Sequence, residues 1–263
     1  MLKNKRLFLL DIDGTVCIGK TIIEGAKEFL SEIKNRKGQF VFITNNTTKS
    51  IEQYISLFNE LGIETDNSNF ITASYVTVKY LKERYKRKLI YVLGTKAFID
   101  ELVKNGVNVT TDCNDENIDC VLAAYNDELT YKGIRDTCKI LSTKEVDYIA
   151  TNPDLVCPVE FGFVPDCGSI CEMIGNAVNK TPCFIGKPET AMIDWVLKIN
   201  SFSKEETLVV GDRLYTDILC GYKAEIETAL VLTGEASAND VNKYNYRPDY
   251  IFNSIKDLYD EWK

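Results

Sequence analysis

The 263-residue chain is 45% hydrophobic and 27% charged, an ordinary globular balance with length enough for two packed cores. Its net charge of −8 leaves no basic stripe to release counterions from a phosphate backbone, so no nucleic-acid partner is expected. The absence of histidine removes Ser-His-Asp and Cys-His catalysis together with His-rich metal sites, leaving carboxylates, lysine, hydroxyls or an oxygen-held metal for any chemistry.

Residues 6–10 read as a short apolar strand that runs straight into Asp11 and Asp13, then Gly14 and Thr15. Two carboxylates this close repel, and burying either one unpaired is costly, so something positive or reactive is expected beside them. They share a side, against period-two alternation, only if the strand has already turned, which Gly14 permits. Ala26, Phe29, Leu30 and Ile33 then follow the spacing of a one-sided helix. "QFVFIT" (39–44) is the next strand. Ser50 and Gln53 have capping-box spacing and open a helix with Ile51, Tyr54, Ile55, Phe58 and Leu61 as its buried stripe. "NFITA" and another helix from about Ala73 follow, and this alternation signals a parallel sheet with helices on both faces.

A second alternating set occupies the middle of the chain. Strands at 88–94, 119–125 and 147–154 alternate with helices over 96–105, from about Tyr131 and from about Ser169. Five of the six prolines fall between 153 and 188, which marks a loop-rich return to the first part. There, Pro188 suits the first turn of a helix whose buried stripe is Met192, Trp195, Val196 and Ile199. "TLVVGD" (207–212) is a strand, a helix starts near Thr216, and "TALVLTG" (228–234) is a strand. A last strand around Tyr250 and an amphipathic helix finish the chain. The fold expected is α/β: a doubly wound parallel sheet, Rossmann-like, over 1–79 and 183–263, with a smaller α/β domain inserted over 80–182.

The nine cysteines lie scattered without a CxxC pair, and the apolar run after "MLKNKR" is four residues long, too short for a signal-peptide core or a membrane span. Reduced thiols in a cytoplasmic protein with no membrane partner are expected, with Cys17 a packed bystander near the aspartate pair. The densest basic run, "KERYKRK" (82–88), reads as a solvated face.

In open parallel sheets, ligands bind beyond the carboxyl ends of the strands. Four polar clusters each follow a strand or open a helix: Asp11 to Thr15, Thr44-Asn45-Asn46, Gly186-Lys187-Pro188, and Gly211-Asp212-Arg213 with Asp217. Asp11 and Asp212 can hold a hard divalent cation such as Mg²⁺, which prefers oxygen ligands. Lys187 adds positive charge where an anion would sit, and Thr44 with the N–H groups of the turn after it can donate to phosphate oxygens. Each cluster alone has an ordinary reading, as an Asx-turn, a helix entry, a surface lysine or a turn residue. A calcium loop is ruled out, because Gly14 directly follows the second aspartate of the pair. Together and in this order they describe one site.

The motifs "DIDGT", "FITNN", "GKP" and "GDRLYTD", with "ATNPD" (150–154) and "VPDCGSI" (164–170) in the insert, resemble those of the haloacid dehalogenase-like (HAD) phosphatases, specifically the NagD-like group with a class IIA cap. The resemblance implies a Mg²⁺-dependent phosphatase of small phosphorylated metabolites, such as a sugar phosphate or a nucleoside monophosphate. It makes Asp11 the nucleophile, forming an aspartyl-phosphate, and Asp13 the general acid and then base. Asp11, the backbone carbonyl of Asp13 and Asp212 would hold Mg²⁺. Thr44, Asn45 and Lys187 would grip the phosphoryl oxygens, and Asp217 would orient Lys187 or a water of the cation's shell.

In that family the insert is a cap that excludes water and contacts the leaving group. Candidate specificity positions are Tyr125, Asn126, Asp154 and Asp166. Relatives often carry aspartate where this chain has Asn126, and a small residue where it has Asp166; an added carboxylate would disfavour anionic leaving groups. Two other readings stand beside the phosphatase: a phosphotransferase or phosphomutase, and a non-catalytic regulator that binds a phosphorylated metabolite. The second has no need of both a nucleophile and its acid. An exposed edge of the cap could support a homodimer.

Overall fold

Four apolar residues in a row, Leu7–Leu10, form β1 and are buried on both faces, as a strand inside a helix-covered parallel sheet must be. The structure is a computed structural model that describes residues 2–159 and 161–263. After β1 come a short hairpin, β2 (Cys17–Ile18) and β3 (Thr21–Ile22), then α1 (Ala26–Asn35), β4 (Gln39–Thr44), α2 (Ile51–Glu60) and β5 (Phe70–Thr72). Next are α3 (Ala73–Arg84), β6 (Leu89–Leu93), α4 (Lys96–Lys104), β7 (Val109–Thr110), β8 (Ile118–Ala123), α5 (Tyr131–Thr143) and β9 (Asp147–Ala150). A second hairpin, β10 (Val156–Val159) and β11 (Gly162–Pro165), leads to α6 (Cys167–Val178) and β12 (Cys183–Phe184). The chain ends with α7 (Ala191–Ile199), β13 (Thr207–Gly211), α8 (Leu219–Ala224), β14 (Thr228–Val231), β15 (Tyr250–Phe252) and α9 (Ile255–Trp262).

These elements divide into two compact units. The first takes the chain up to Thr44, Ser50–Thr72 and Lys187–Lys263; the second takes Asn45–Lys49 and Ala73–Gly186. The break expected at 79/80 would fall inside α3, a continuous helix, and the structure places it at 72/73, before that helix begins. The break expected at 182/183 moves to 186/187, because β12 pairs in parallel with β9 of the second unit.

The first unit is a parallel sheet in the order β15-β14-β13-β1-β4-β5. The chain winds outward from β1 through β4 to β5, then returns to β13 and winds the other way. That reversal is a topological switch point, and open α/β sheets place their ligands beyond the carboxyl ends of the strands at such a point, here β1 and β13. Beneath it Phe8, Phe29 and Trp262 meet edge-to-face with centroids 5.0, 5.1 and 5.5 Å apart, and each such pair adds about 0.5–1.5 kcal/mol beyond its burial. The indole N–H of Trp262 donates to the Lys5 carbonyl at 3.1 Å, so the polar end of that large side chain is satisfied. The capping box read from sequence is present, with Ser50 accepting from the Gln53 N–H and the Gln53 side chain accepting from the Ser50 N–H.

The second unit is a smaller parallel sheet, β12-β9-β8-β6-β7, with Ile140 and Leu141 of α5 and Ile170 and Ile174 of α6 in its core. Among the described residues no helix is long and apolar enough to cross a membrane, and no disulfide joins the cysteines.

Two local expectations are corrected. Pro188 stands three residues ahead of α7, which starts at Ala191 after Thr190, because the chain is still crossing between units at 186/187. The buried face of α7 is Met192, Ile193 and Val196, so Ile199 is 55% exposed.

Candidate active site

β1 pairs with β13 on one side and β4 on the other, Leu10 standing opposite Val210 and Phe42. Asp11, Asp212 and Thr44 therefore come out at one edge of one sheet, and the Asp11 N–H still donates to the Val210 carbonyl at 2.9 Å. Beyond Leu10 the strand stops. The Ile12 carbonyl accepts from the N–H groups of Val16 and Cys17, both at 3.0 Å, and Gly14, at φ +87°, donates to the Cys17 carbonyl at 2.8 Å. This curl ends the strand directly after Asp11, with Gly14 supplying the left-handed conformation it needs.

Lys187 is a positive group beside Asp11, the first carboxylate of the pair. Its Nζ donates to Asp11 Oδ1 and to Asp217 Oδ1, both at 2.6 Å, and it is only 2% exposed. Burial pulls the Lys187 ammonium down, but the carboxylates of Asp11 and Asp217 outweigh it and hold its pKa above the ordinary lysine range. Asp11 is pushed well above the usual carboxylate range by burial, with Lys187 opposing and the charges of Asp217 and Asp212 adding to the rise. Asp212 is raised to about 7, chiefly by burial and then by Asp217, while Arg213 and the Glu235 N–H pull the other way.

Asp217 is placed by a widened turn over Leu214–Ile218, in which the Ile218 N–H reaches back five residues to the Arg213 carbonyl at 3.2 Å. The Arg213 N–H in turn donates to Asp217 Oδ2 at 3.1 Å. Glycines make room for the carboxylates. A Cβ at Gly211 would lie 2.3 Å from the Asp217 side chain, one at Gly234 1.9 Å from Asp212 Oδ2, and one at Gly14 2.7 Å from that same oxygen.

The donor set fits a hard cation. Carboxylate oxygens of Asp11, Asp212 and Asp217 lie within 4.8 Å of one another. Asp212 Oδ2 accepts the Glu235 N–H at 2.7 Å, whereas its buried Oδ1 has no hydrogen-bond partner among the described residues. Leaving such an atom unmade costs about 1–3 kcal/mol, a cost that a cation would remove. Both oxygens of Asp217 are already used, by Lys187 and by the Arg213 N–H, so Asp11 and Asp212 are the carboxylates left to coordinate. Mg²⁺ is commonly held by just such a pair, with waters and substrate oxygens completing the shell.

Thr44, the buried last residue of β4, and Tyr54 of α2 stand near this edge. Burial pushes the Tyr54 hydroxyl well above its usual range, and the charge of Asp13 adds to that. Sequence reading placed Tyr54 only in the packed stripe; the hydroxyl at a position where leucine would pack as well was the available signal. Gly234 and the Glu235 N–H were also missed, since nothing local ties them to Asp212.

Other expected residues assemble within the second unit. Asn45 Nδ2 donates to Asp154 Oδ1 at 3.0 Å, and both residues are buried. Asn126 folds back, its Oδ1 accepting the Glu128 N–H at 3.0 Å. Asp166 is the N-cap of α6, accepting the Cys167 N–H. The half-buried Tyr125 hydroxyl is raised by burial, with smaller contributions from Cys157, Asp127 and Asp166.

Residues 8–108 match the family described as haloacid dehalogenase-like hydrolase, and 184–258 match one described as HAD-hydrolase-like. Among curated relatives, an acid sugar phosphatase of Staphylococcus haemolyticus is 30% identical over 97% of this chain and 95% of its own. A 4-nitrophenylphosphatase of Thermotoga maritima superposes with a TM-score of 0.90 at 33% identity, covering 100% of this chain and 99% of that one. NagD of Escherichia coli gives 0.83 at 32%, over 96% and 97%. A glycerol phosphate phosphatase of Mycobacterium tuberculosis, solved in complex with magnesium, gives 0.88 at 26%, over 98% and 77%.

Proposed function

The chain belongs to the haloacid dehalogenase-like hydrolases, as a NagD-like phosphatase, and we propose that it dephosphorylates small metabolites, sugar phosphates first among them, with Mg²⁺ and through an aspartyl-phosphate on Asp11. One observation carries the mechanism. A buried lysine is clamped between Asp11 and Asp217, beside an Asp212 oxygen with no hydrogen-bond partner among the described residues. The name of the acid sugar phosphatases, similar over almost the whole chain, supports the substrate class, and the magnesium complex of the glycerol phosphate phosphatase supports the metal.

Asp11 attacks phosphorus in line with the leaving oxygen, and its carboxylate becomes an acyl phosphate as the ester P–O bond breaks. Lys187 fixes the rotamer of Asp11 through Oδ1 and, by its charge, favours the ionised nucleophile. Asp13 donates a proton to the departing alkoxide, then takes one from the water that opens the acyl phosphate. Thr44 and the N–H of Asn45 donate to the phosphoryl oxygens, while Lys187 offsets their negative charge. Held by Asp11, Asp212 and the Asp13 carbonyl, Mg²⁺ would neutralise carboxylate charge and polarise the phosphoryl group. Positioning and fixed positive charge do most of the catalysis in such transfers.

Release of inorganic phosphate from p-nitrophenyl phosphate and from a panel of sugar phosphates, with and without Mg²⁺, tests this beside Asp11→Asn. Mg²⁺-dependent release that vanishes in the variant is expected. Unchanged turnover in Asp11→Asn would remove the nucleophile, and nucleoside monophosphates outrunning every sugar phosphate would overturn the substrate class.

A further inference from the structure

Two of the peptide bonds at which the chain passes from one unit to the other are Thr44–Asn45 and Gly186–Lys187. Each joins a proposed phosphate-binding residue, Thr44 or Lys187, to a residue of the second unit. Within that unit a single segment after β9, Thr151–Asp154, holds both of those residues. The Asn152 Nδ2 donates to the Asn45 carbonyl at 3.0 Å, and the Asn45 Nδ2 donates to Asp154 Oδ1 at 3.0 Å. The Gly186 N–H donates to the Thr151 carbonyl at 2.7 Å, and a Cβ on Gly186 would lie 2.6 Å from both that oxygen and Asn45 Oδ1. The Asp154 N–H closes the segment on itself by donating to Asn152 Oδ1 at 3.0 Å. Thr151, Asn152, Asp154 and Asn45 are all buried.

We propose that Thr151–Asp154 is a clasp for the phosphate-binding residues, and that Asp154 is a positioning residue that fixes Asn45 rather than a selector of the leaving group. The inference rests on the reading that Thr44 and the N–H of Asn45 meet the phosphoryl group. That N–H lies in the rigid plane of the Thr44–Asn45 peptide, so its direction follows the torsions of Asn45, which Asn152 and Asp154 restrain at the carbonyl and at the side chain. Asp154 is thus buried with an amide donor on its carboxylate, a poor placement for reading a variable alcohol and a good one for holding a loop. Misplacing donors by about 1 Å can lower a rate about 100-fold, which is the scale on which such a clasp matters. Because it acts on the phosphoryl end, its loss weakens every phosphate ester alike.

The test is binding of inorganic phosphate, in saturating Mg²⁺, to wild type and to Asp154→Ala by calorimetry, alongside kcat and KM for p-nitrophenyl phosphate and two sugar phosphates. The Kd for phosphate is expected to rise about tenfold, the loss of roughly one charged hydrogen bond. KM for the three esters should rise by a common factor with their ranking preserved, and Asp154→Asn, which keeps an acceptor in place, should stay within about threefold of wild type. Unchanged phosphate affinity with a reordered ester ranking would make Asp154 a selector and overturn the inference. Unchanged affinity and ranking would reduce it to packing and overturn it equally. Should Asp154→Ala melt early, Asn45→Ala removes the other partner of the same bond and must reproduce the loss of phosphate affinity. Wild-type protein that binds no phosphate would instead break the functional reading beneath.

Discussion

The polar ends of the two parallel sheets are built from opposite materials. At the carboxyl edge of the first, Lys187, Asp212 and Asp217 are almost wholly buried, Asp11 nearly so, and one carboxylate oxygen is left without a partner among the described residues. After β9 of the second, Thr151, Asn152 and Asp154 close a network with Asn45 in which amide N–H groups pair with carbonyl oxygens and with the single carboxylate of Asp154. Both edges are buried and polar, so burial alone does not mark a catalytic edge. What marks it is several charges gathered in one place, three carboxylates around one ammonium, held at a cost to stability.

If that contrast is right, the first edge should respond to charge and volume far more than the second. Lys187→Met takes the ammonium from between two carboxylates and is expected to destabilise the metal-free protein by about 3–5 kcal/mol in urea denaturation, as breaking a buried pair does, besides abolishing turnover. Gly234→Ala forces a methyl into the space of Asp212 Oδ2; a loss of about 1–3 kcal/mol is expected, with the Mg²⁺ concentration for half-maximal rate rising about 10–100-fold.

Asp212→Asn should do the reverse to stability. The folded pKa of Asp212 is raised to about 7 from 3.8, so the folded protein holds a proton there that the unfolded chain has lost, and stability falls as pH rises through that window. Melting with a chelator present should therefore show Asp212→Asn about 2–4 °C above wild type at pH 8, the gain shrinking toward pH 5, where wild-type Asp212 is protonated. A constant difference across pH would break the argument. Asp166→Asn, at the other edge, keeps an N-cap acceptor for the Cys167 N–H, so stability should stay within about 0.5 kcal/mol and the ester ranking should hold.

Much of this was legible in the sequence because the signals are local. The continuous burial of Leu7–Leu10, the 3.6-residue stripe of α1 and the Ser50–Gln53 capping box each lie within a few residues. Asp11, Lys187, Asp212 and Asp217 stood out because charges at the ends of buried strands have no bland use as a set. The hairpins at 17–22 and 156–165 were hidden: the first has two-residue strands, too short to show a period, and the second carries Pro158 and Pro165 among its strand residues. The cradle formed by Gly234 and the Glu235 N–H around Asp212 depends on a contact across more than twenty residues, and the bond from Asn45 to Asp154 spans 109. Nothing in a local pattern encodes either.

The chain's two tryptophans, Trp195 and Trp262, both lie in the first unit, with Trp262 wedged against Phe8 and Phe29. All cysteines but Cys17 and Cys220 lie in the second, and those two are buried. The molecule thus carries two separate reporters written into its own composition. Selectively excited indole emission follows the unit that bears Asp11, and thiol labelling of the native protein follows the unit that bears Asp154, so the loosening of one can be timed against the other without changing a residue.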